Sequence, residues 1–224
     1  MSKLFIVPTP IGNLEDITLR ALKILETVDL ILAEDTRQTS KLLKHYNIKT
    51  ACRSFHQHNE HRMAESIAQD LSVTELVYAL VSDAGTPGIS DPAYLLINKC
   101  QELGVKIECL PGATAFVPAL IESGLPSDTF IFLGFLPHQK GRSKILNELK
   151  DESRTMIFYE SPYRIIKTLT QLSEVFGNDR IAAVSRELTK IYAETNRATL
   201  GGLLETYKVK TIKGEFVIIV NGKK

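Results

Sequence analysis

The chain has 224 residues, enough for one large domain or two small ones, and 44% of them are hydrophobic, as in ordinary globular proteins. No apolar run reaches the roughly 18 residues of a membrane-spanning helix, and the N-terminal apolar stretch that Pro8 ends is too short for a signal peptide. The odd number of three cysteines, with no CxxC, argues against a disulfide framework and fits a reducing cytoplasm, and a net charge of +1 requires any RNA-binding surface to be local.

The first half of the chain alternates short apolar runs with segments of helical periodicity. The apolar runs predict strands at Leu4–Val7, Asp29–Ala33, Leu76–Val81 and Val105–Leu110. Apolar residues at helical spacing predict helices at Ile17–Val28, Thr36–His45, Glu60–Leu71 and Pro92–Leu103. Strands and helices in alternation indicate a mostly parallel sheet with helices on both faces.

The second half has more closely spaced strands, which predicts a mixed sheet. Its predicted strands are Phe130–Phe135, Thr155–Tyr159, Ile181–Glu187, Ile191–Thr195 and Phe216–Val220. One helix is predicted to begin at Ser161-Pro162, with the serine as N-cap, and to end at Gly177. The fold class is therefore α/β with two α/β domains, at 1–113 and 114–224, and a ligand cleft between them.

The segment Asp83–Pro92, with sequence DAGTPGISDP, follows the most apolar strand and precedes a helix. Ligands bind at the carboxyl ends of strands in open parallel sheets, so the segment stands where a site is expected. Gly85 and Gly88 let a ligand approach the backbone, and Asp83 can accept hydrogen bonds from a ribose or an amine. The structural alternative is a tight turn in which Asp91 caps the following helix.

Two further loops of small residues follow strands, at Pro8–Asn13 and Pro111–Ala115. Neither contains GxGxxG, and prolines remove backbone N–H donors, so the first loop suits an uncharged ligand better than a phosphate. Either loop alone is read as a simple turn. Three such loops at strand ends together favour a binding site.

Charged and histidine-rich segments allow functional and structural interpretations. Glu34–Arg37 either faces a substrate or starts a helix, with Asp35 or Thr36 as cap and Arg37 solvated. His56, His58 and His61 lack HExxH and a nearby cysteine, so a polar loop is favoured over a metal site, and no metal is expected. The basic groups at 138–144 and at 41–53 can neutralise phosphates or be merely solvated.

The motifs of several other enzyme classes are absent from the sequence. It contains no GxxxxGK[ST], GxSxG or CxxC, which removes the usual support for kinase, hydrolase and thioredoxin chemistry. The charged segments Ser185–Lys190 and Lys213–Glu215 lie at strand ends of the second half. Buried charges need partners, and a cleft between domains would provide them.

Taken together, these segments resemble the ribosomal RNA small subunit methyltransferase I family, within the tetrapyrrole-methylase class of enzymes that use S-adenosylmethionine. The segments that carry the resemblance are VPTPIGNLEDIT (7–18), AEDTR (33–37), HNE (58–60), VSDAGTPGISDP (81–92), SGLPSD (123–128), FYESPYR (158–164), SRELTK (185–190) and KGE (213–215). They cover nearly the whole chain, and their joint occurrence is highly specific. Many relatives extend beyond the position where this chain ends.

The resemblance implies a cytoplasmic homodimer that binds S-adenosylmethionine, needs no metal or membrane, and methylates the 2′-oxygen of a cytidine in 16S rRNA of the small subunit. By position in the motifs, it implies that the cofactor is bound by Pro10, Ile11, Asp83, Gly85, Thr86, Thr114, Ala115, Tyr159 and Leu188. Glu215 is a further counterpart from the second domain.

The chemistry requires a base, because a neutral ribose hydroxyl is a poor nucleophile. The candidate catalytic carboxylates are Glu160, Glu187 and Glu215, among which the sequence does not choose. Arg186 and Lys190 are candidates for binding phosphate or orienting substrate, and Asp35 and Arg37 rank below them. Two alternatives remain open: a C-methylase of a small tetrapyrrole, and a non-catalytic ribosome-assembly module that binds S-adenosylmethionine.

Overall fold

A computed structural model describes residues 2–223 and divides the chain into two compact units, the first ending at Thr114 and the second beginning at Ala115. The strands of the first unit are β1 Lys3–Ile6, β2 Leu30–Ala33, β3 Cys52–Ser54, β4 Val77–Val81 and β5 Lys106–Cys109. Its helices are α1 Leu19–Thr27, α2 Thr36–His45, α3 Glu60–Val73 and α4 Tyr94–Glu102.

The first sheet is wholly parallel, in the order β3-β2-β4-β1-β5. Successive residues of each strand point to opposite faces, so each central strand serves two cores. Leu4, Leu32 and Leu80 pack with α3 and α4, whereas Phe5 and Ala79 pack with α1 and α2. The predicted parallel sheet with helices on both faces is confirmed.

The second unit contains a mixed sheet, also as predicted. Its strands are β6 Phe130–Phe135, β7 Thr155–Glu160, β8 Ile181–Arg186, β9 Glu194–Thr199 and β10 Phe216–Val220. Its helices are α5 Phe116–Ser123, α6 Arg142–Glu148, α7 Ile165–Phe176 and α8 Leu200–Val209. The strand order is β6-β7-β10-β8-β9, in which only β6 and β7 are parallel. Helices α6, α7 and α8 cover one face, and α5 packs against β8, β9 and β10.

Three local predictions were wrong. Helix α7 begins at Ile165 rather than at Ser161-Pro162, because Ser161–Arg164 forms a turn in which Arg164 N–H donates to the Ser161 carbonyl. Strand β9 begins at Glu194 rather than Ile191, because consecutive turns closed by Lys190 and Ala193 N–H groups occupy the earlier residues. Helix α4 begins at Tyr94 rather than Pro92, and Ala93 occupies its N-cap position.

Candidate active site

The loops after β1 and β4 are joined by a short antiparallel bridge at the carboxyl edge of the first sheet. Thr9 N–H donates to the Gly85 carbonyl and Gly85 N–H donates to the Thr9 carbonyl, each at 2.9 Å. The Thr9 hydroxyl donates to the buried Ser82 carbonyl at 3.0 Å. These bonds hold the proline-rich first loop, which contains Pro10, against the turn that contains Gly85.

Two glycines allow these loops to approach one another closely. Gly85 has a φ of +83°, a left-handed conformation that glycine adopts without steric cost, and a Cβ there would lie 3.5 Å from Cγ2 of Ile11. A Cβ on Gly112 would lie 2.5 Å from Cβ of Pro8, nearer than non-bonded carbons can approach. A side chain at Gly112 would therefore push the loops after β1 and β5 apart.

A pair of threonine hydroxyls joins the loop after β4 to the loop after β5. The Thr86 hydroxyl donates to the Ala113 carbonyl at 3.0 Å and lies 2.7 Å from the Thr114 hydroxyl. Five predicted cofactor-binding residues, Pro10, Ile11, Gly85, Thr86 and Thr114, thus stand on three loops that are bonded or packed together. Ala115 is the first residue of the second unit and precedes α5.

Acidic residues after β2 and β4 complete this edge of the first sheet. The Asp35 backbone N–H donates to Asp83 Oδ1 at 3.0 Å, and the Asp83 N–H donates to Glu34 Oε2 at 3.2 Å. Partial burial raises the pKa values of Glu34 and of Asp83. Within residues 2–223 neither carboxylate belongs to an ion pair, so both can accept hydrogen bonds from a positively charged or hydroxylated ligand.

Asp35 and Arg37 have a structural role in α2. Asp35 is the N-cap, and its Oδ1 accepts the Arg37 backbone N–H at 2.8 Å. The Arg37 guanidinium also donates to the Asp35 carboxylate, and these bonds lower the Asp35 pKa to about 2. Arg37 is itself exposed. The interpretation of this segment as a helix start is confirmed.

The histidine-containing loop after β3 lies at the same edge of the parallel sheet. His56 N–H donates to Asn59 Oδ1 at 2.8 Å, and the buried His56 Nδ1 has no hydrogen-bond partner among the described residues. Over residues 2–223, no three histidine, cysteine, aspartate or glutamate side chains cluster as a metal site would require.

The second unit brings together three of the five predicted catalytic residues. Glu187 Oε1 accepts Lys190 Nζ at 2.8 Å and the Glu215 N–H at 3.2 Å, and Lys190 Nζ lies 3.5 Å from Glu215 Oε2. Glu187 has a φ of 51°, and its carboxylate packs directly against Gly214, leaving no space for a Cβ there. Glycine in the KGE segment therefore allows Glu187, Lys190 and Glu215 to meet.

Within this cluster, the electrostatics differ from those at the first sheet. Burial acts to raise the pKa of Glu187, but the bonds from Lys190 and from the Glu215 backbone outweigh it and lower that pKa. Burial likewise acts to lower the pKa of Lys190, but Glu187 and Glu215 outweigh it and raise that pKa. Glu187 thus remains a carboxylate and Lys190 a cation, whereas the Glu215 side chain is 78% exposed.

Glu160, the third candidate carboxylate, is enclosed by donors. It is 2% exposed and pairs with Arg164 at 2.8 Å and with the buried Arg142 at 3.7 Å. Its Oε1 accepts the Ser161 N–H and its Oε2 accepts the Thr168 hydroxyl. This arrangement favours a structural role, because a buried carboxylate with these partners is not available to a substrate hydroxyl.

The remaining predicted residues of the second unit stand apart from the cluster. Arg186 pairs with Glu194 at 3.2 Å, and Glu194 also pairs with Lys210 at 2.7 Å. The half-buried Tyr159 ring lies edge-on to the Phe132 ring, with centroids 5.0 Å apart. Leu188 is buried. The structure therefore does not join Arg186 to Lys190, although the two lie four residues apart.

Two contributors were not selected from the sequence. From the sequence, Glu34 is named only within a segment that either faces a substrate or starts a helix, whereas in the structure Glu34 accepts the Asp83 backbone N–H. From the sequence, no role is assigned to Gly214, which accommodates the Glu187 carboxylate. For Glu34, a usable signal was its position at the carboxyl end of a strand. For Gly214, the signal was a glycine next to a glutamate before a buried strand.

Comparison with known proteins gives a consistent result. Residues 3–204 match the family model described as Tetrapyrrole (Corrin/Porphyrin) Methylases. The chain is 45% identical to ribosomal RNA small subunit methyltransferase I of Thermotoga maritima, covering 100% of both chains. It is 46% identical to the protein of that name from Synechocystis sp., over 99% of this chain and 80% of the relative. It is 49% identical to the one from Halalkalibacterium halodurans, over 98% of this chain and 75% of the relative.

Solved structures share the fold at low sequence identity. A diphthine synthase matches with a TM-score of 0.77 at 12% identity, over 100% of this chain and 91% of that one. Uroporphyrin-III-C-methyltransferase from Thermus thermophilus matches with a TM-score of 0.67 at 17% identity, over 98% of this chain and 94% of the other. At these identities the likeness concerns the fold alone.

Proposed function

The chain belongs to the tetrapyrrole (corrin/porphyrin) methylase family, and on that premise we propose that it transfers a methyl group from S-adenosylmethionine to small-subunit ribosomal RNA. The observation that carries the proposal is 45% identity over the full length of both chains with a ribosomal RNA small subunit methyltransferase I. The alternative of a tetrapyrrole C-methylase rests on the description of the family model and on a shared fold at 17% identity, and both are less specific than that full-length match.

The carboxyl edge of the first sheet has the chemistry that S-adenosylmethionine requires. This cofactor presents an ammonium group and ribose hydroxyls, which are hydrogen-bond donors, and it carries no phosphate. Asp83 and Glu34 offer acceptors outside any ion pair of the described chain, and Thr86 and Thr114 offer hydroxyls. Pro10 has no backbone N–H to offer a phosphate, and together with Ile11 it presents apolar side chains to the ligand. We therefore assign the methyl donor to these residues.

We assign proton removal to Glu215. A general base must come within hydrogen-bond reach of the hydroxyl that it deprotonates, and among the three candidates within residues 2–223 only Glu215 combines an exposed carboxylate with a backbone N–H bonded to Glu187. Its backbone is fixed by Glu187, through the 3.2 Å bond to Glu187 Oε1. Lys190 remains a cation beside it and can bind an RNA phosphate or stabilise the alkoxide that develops at the ribose.

When bound, S-adenosylmethionine supplies a methyl group on a sulfonium sulfur, which departs as a neutral thioether. The protein must hold the attacking oxygen about 3 Å from that methyl carbon and in line with the departing sulfur. In this proposal Glu215 takes the ribose 2′-proton as that oxygen attacks, and the bond from the Glu215 N–H to the Glu187 carboxylate positions the Glu215 backbone. Catalysis thus depends on position and on one proton acceptor.

The finer features of the proposal follow the family resemblance. The substrate is the 2′-oxygen of a cytidine in the decoding region of 16S rRNA, presented within the small subunit. The active form is a cytoplasmic homodimer. No helix within residues 2–223 has the combination of length and apolarity that crossing a lipid bilayer demands.

Methyl transfer to isolated small subunits tests this proposal. Purified protein is incubated with methyl-tritiated S-adenosylmethionine and 30S subunits that lack the modification, and the RNA is then hydrolysed in alkali. A 2′-O-methyl group blocks alkaline cleavage of the next bond, so label in an alkali-stable dinucleotide is the expected result. Label in mononucleotides would show that a nucleobase, and not the ribose, is methylated. Absence of label from RNA would overturn the proposal.

A further inference from the structure

Four segments of the second unit, made of loops and of the ends of the adjoining elements, meet at one edge of the second sheet. Because β6, β7 and β8 run in one direction and β9 and β10 in the other, the carboxyl ends of the first three lie beside the amino ends of the last two. The segments at this edge are 135–141, 161–167, 187–193 and 210–215, and together they are called the rim. The cluster of Glu187, Lys190 and Glu215 belongs to it.

The rim exposes large side chains to an unusual degree. Tyr163 is 96% exposed, Ile191 is 95% exposed and Tyr192 is 75% exposed. The strands that lead to Tyr163 and to Ile191 flank β10, so their ends are separated by two strand spacings, or roughly 10 Å. Soluble proteins rarely leave adjacent large apolar groups uncovered unless a partner binds there.

The rim is also strongly basic in a chain of nearly balanced charge. Its four segments contain six lysine or arginine residues and two glutamates, whereas the whole chain has a formal net charge of +1. Two of the six, Arg164 and Lys210, pair with Glu160 and Glu194 at the border of the rim. Lys140, Lys167 and Lys213 form no ion pair within the described part of the chain. The positive surface that an RNA partner requires is therefore present locally.

We propose that the rim binds a single-stranded segment of RNA, with bases stacked on Tyr163 and Tyr192 and phosphates beside Lys140, Lys167 and Lys213. Aromatic rings interspersed with unpaired cations match unpaired nucleotides, which offer both a π-face and a negative backbone. A second copy of the chain fits poorly, because a two-fold contact would place this basic surface against itself. The inference rests on the proposed function, since it names the surface that presents RNA to Glu215.

The test measures binding of a fluorescein-labelled oligocytidylate 12-mer by anisotropy at several salt concentrations. Base stacking on an aromatic side chain is lost on substitution by alanine, so Tyr163→Ala and Tyr192→Ala should each weaken binding about tenfold, and the double variant about 100-fold. Tyr163→Phe with Tyr192→Phe keeps the rings and should bind within about twofold of the unchanged protein. Lys167→Ala with Lys213→Ala should reduce the slope of log affinity against log salt by about 1.4.

Val73→Ala is the matched control for exposure, because Val73 is 82% exposed and lies at the end of α3 in the other unit. Its oligonucleotide affinity should not change. Unchanged oligonucleotide affinity in the double alanine variant would overturn the inference. If that variant also sedimented as a monomer where the unchanged protein sediments as a dimer, the rim would instead be a contact with a second copy of the chain. Loss of binding in the phenylalanine variant would also contradict stacking.

The same variants separate this inference from the proposed function. If the double alanine variant methylates 30S subunits with an unchanged KM, the rim proposal fails while the proposed function stands. If the unchanged protein binds the 12-mer through the tyrosines but transfers no methyl group to 30S subunits, the proposed function fails and the rim remains an RNA-binding surface.

Discussion

At the edge of the first sheet, the carboxylates of Glu34 and Asp83 accept hydrogen bonds from backbone N–H groups alone among residues 2–223, and desolvation raises their pKa values. At the edge of the second sheet, Glu187 is bonded to a lysine, and its pKa is lowered. The first pair has unused capacity for a positive group, which a ligand can supply. The charge of Glu187 is already neutralised by Lys190, and its carboxylate holds the backbone of Glu215. In the proposed function, the edge of the first sheet binds S-adenosylmethionine and the edge of the second sheet activates the RNA hydroxyl.

The largest expected effect is on catalysis, from a change at Glu215 at the edge of the second sheet. Glu215→Gln should lower kcat about 10²- to 10⁴-fold, because the amide cannot take the ribose proton, while S-adenosylmethionine affinity stays within about threefold. The measurement is single-turnover methyl transfer to 30S subunits. Glu205→Gln, a change at another exposed glutamate of the second unit, should leave kcat unaltered. Normal turnover by Glu215→Gln would remove Glu215 from the chemistry.

A change at Glu160 should affect stability instead. Glu160→Gln leaves Arg142 and Arg164 without their buried counter-charge, which should lower the free energy of unfolding by about 3–5 kcal/mol in urea titrations. Glu148→Gln on α6 is the control, because its ion pair with Lys144 is exposed and 3.9 Å long, and it should cost less than about 0.5 kcal/mol. If Glu160→Gln kept full stability and lost turnover, Glu160 would rejoin the catalytic candidates.

A methyl group added at Gly112 should collide with a neighbouring loop and disrupt the proposed S-adenosylmethionine site at the edge of the first sheet. Gly112→Ala places a Cβ 2.5 Å from the ring of Pro8, so the loops after β1 and β5 must separate. The overpacking should weaken S-adenosylmethionine binding about tenfold or more in calorimetric titration. Gly201→Ala in α8, where the added Cβ meets its nearest neighbour at 3.4 Å, should bind the donor normally. Equal affinity in both variants would show that the loops after β1, β4 and β5 do not bind S-adenosylmethionine.

The smallest expected effect is a stability gain at the same edge. A carboxylate whose pKa is raised in the folded state contributes stability below its unfolded pKa, near 3.8 for aspartate, and loses that contribution as pH rises through the folded value. Asp83→Asn should therefore raise the Tm at pH 7 by only about 1–2 °C, because Asp83 is largely exposed and the desolvation of its carboxylate is slight. The gain should disappear near pH 3. A lower Tm at pH 7 would show that the charged Asp83 carboxylate does not destabilise the folded protein.

The sequence predicts elements whose ends carry local signals. Helix Thr36–His45 was predicted without error, since Asp35 caps it, and so was strand Phe216–Val220, which polar and glycine residues flank. Strand β3 was missed because it has only three residues and two of them are polar. Helix α8 was missed because Gly201 and Gly202 open it, and only the Thr199 hydroxyl marks its start.

The site was less predictable, because it depends on contacts between distant segments. Strand order places β4 between β1 and β2, and this alone brings Gly85 to Thr9 and Asp83 to Glu34. No spacing in the sequence reveals that order. Glu160 is a candidate base in the sequence because burial is invisible there. Its partner Arg142 belongs to α6, a helix that is treated from the sequence only as part of the basic group at 138–144.

The most direct test of the division between the two edges is single-turnover methyl transfer to 30S subunits as a function of S-adenosylmethionine concentration. We predict that Asp83→Asn raises the half-saturating concentration about tenfold with little change in the maximal rate, because it removes a charged acceptor for the donor. Glu215→Gln should lower the maximal rate at an unchanged half-saturating concentration. The reverse pattern, or the same pattern in both variants, would contradict the account.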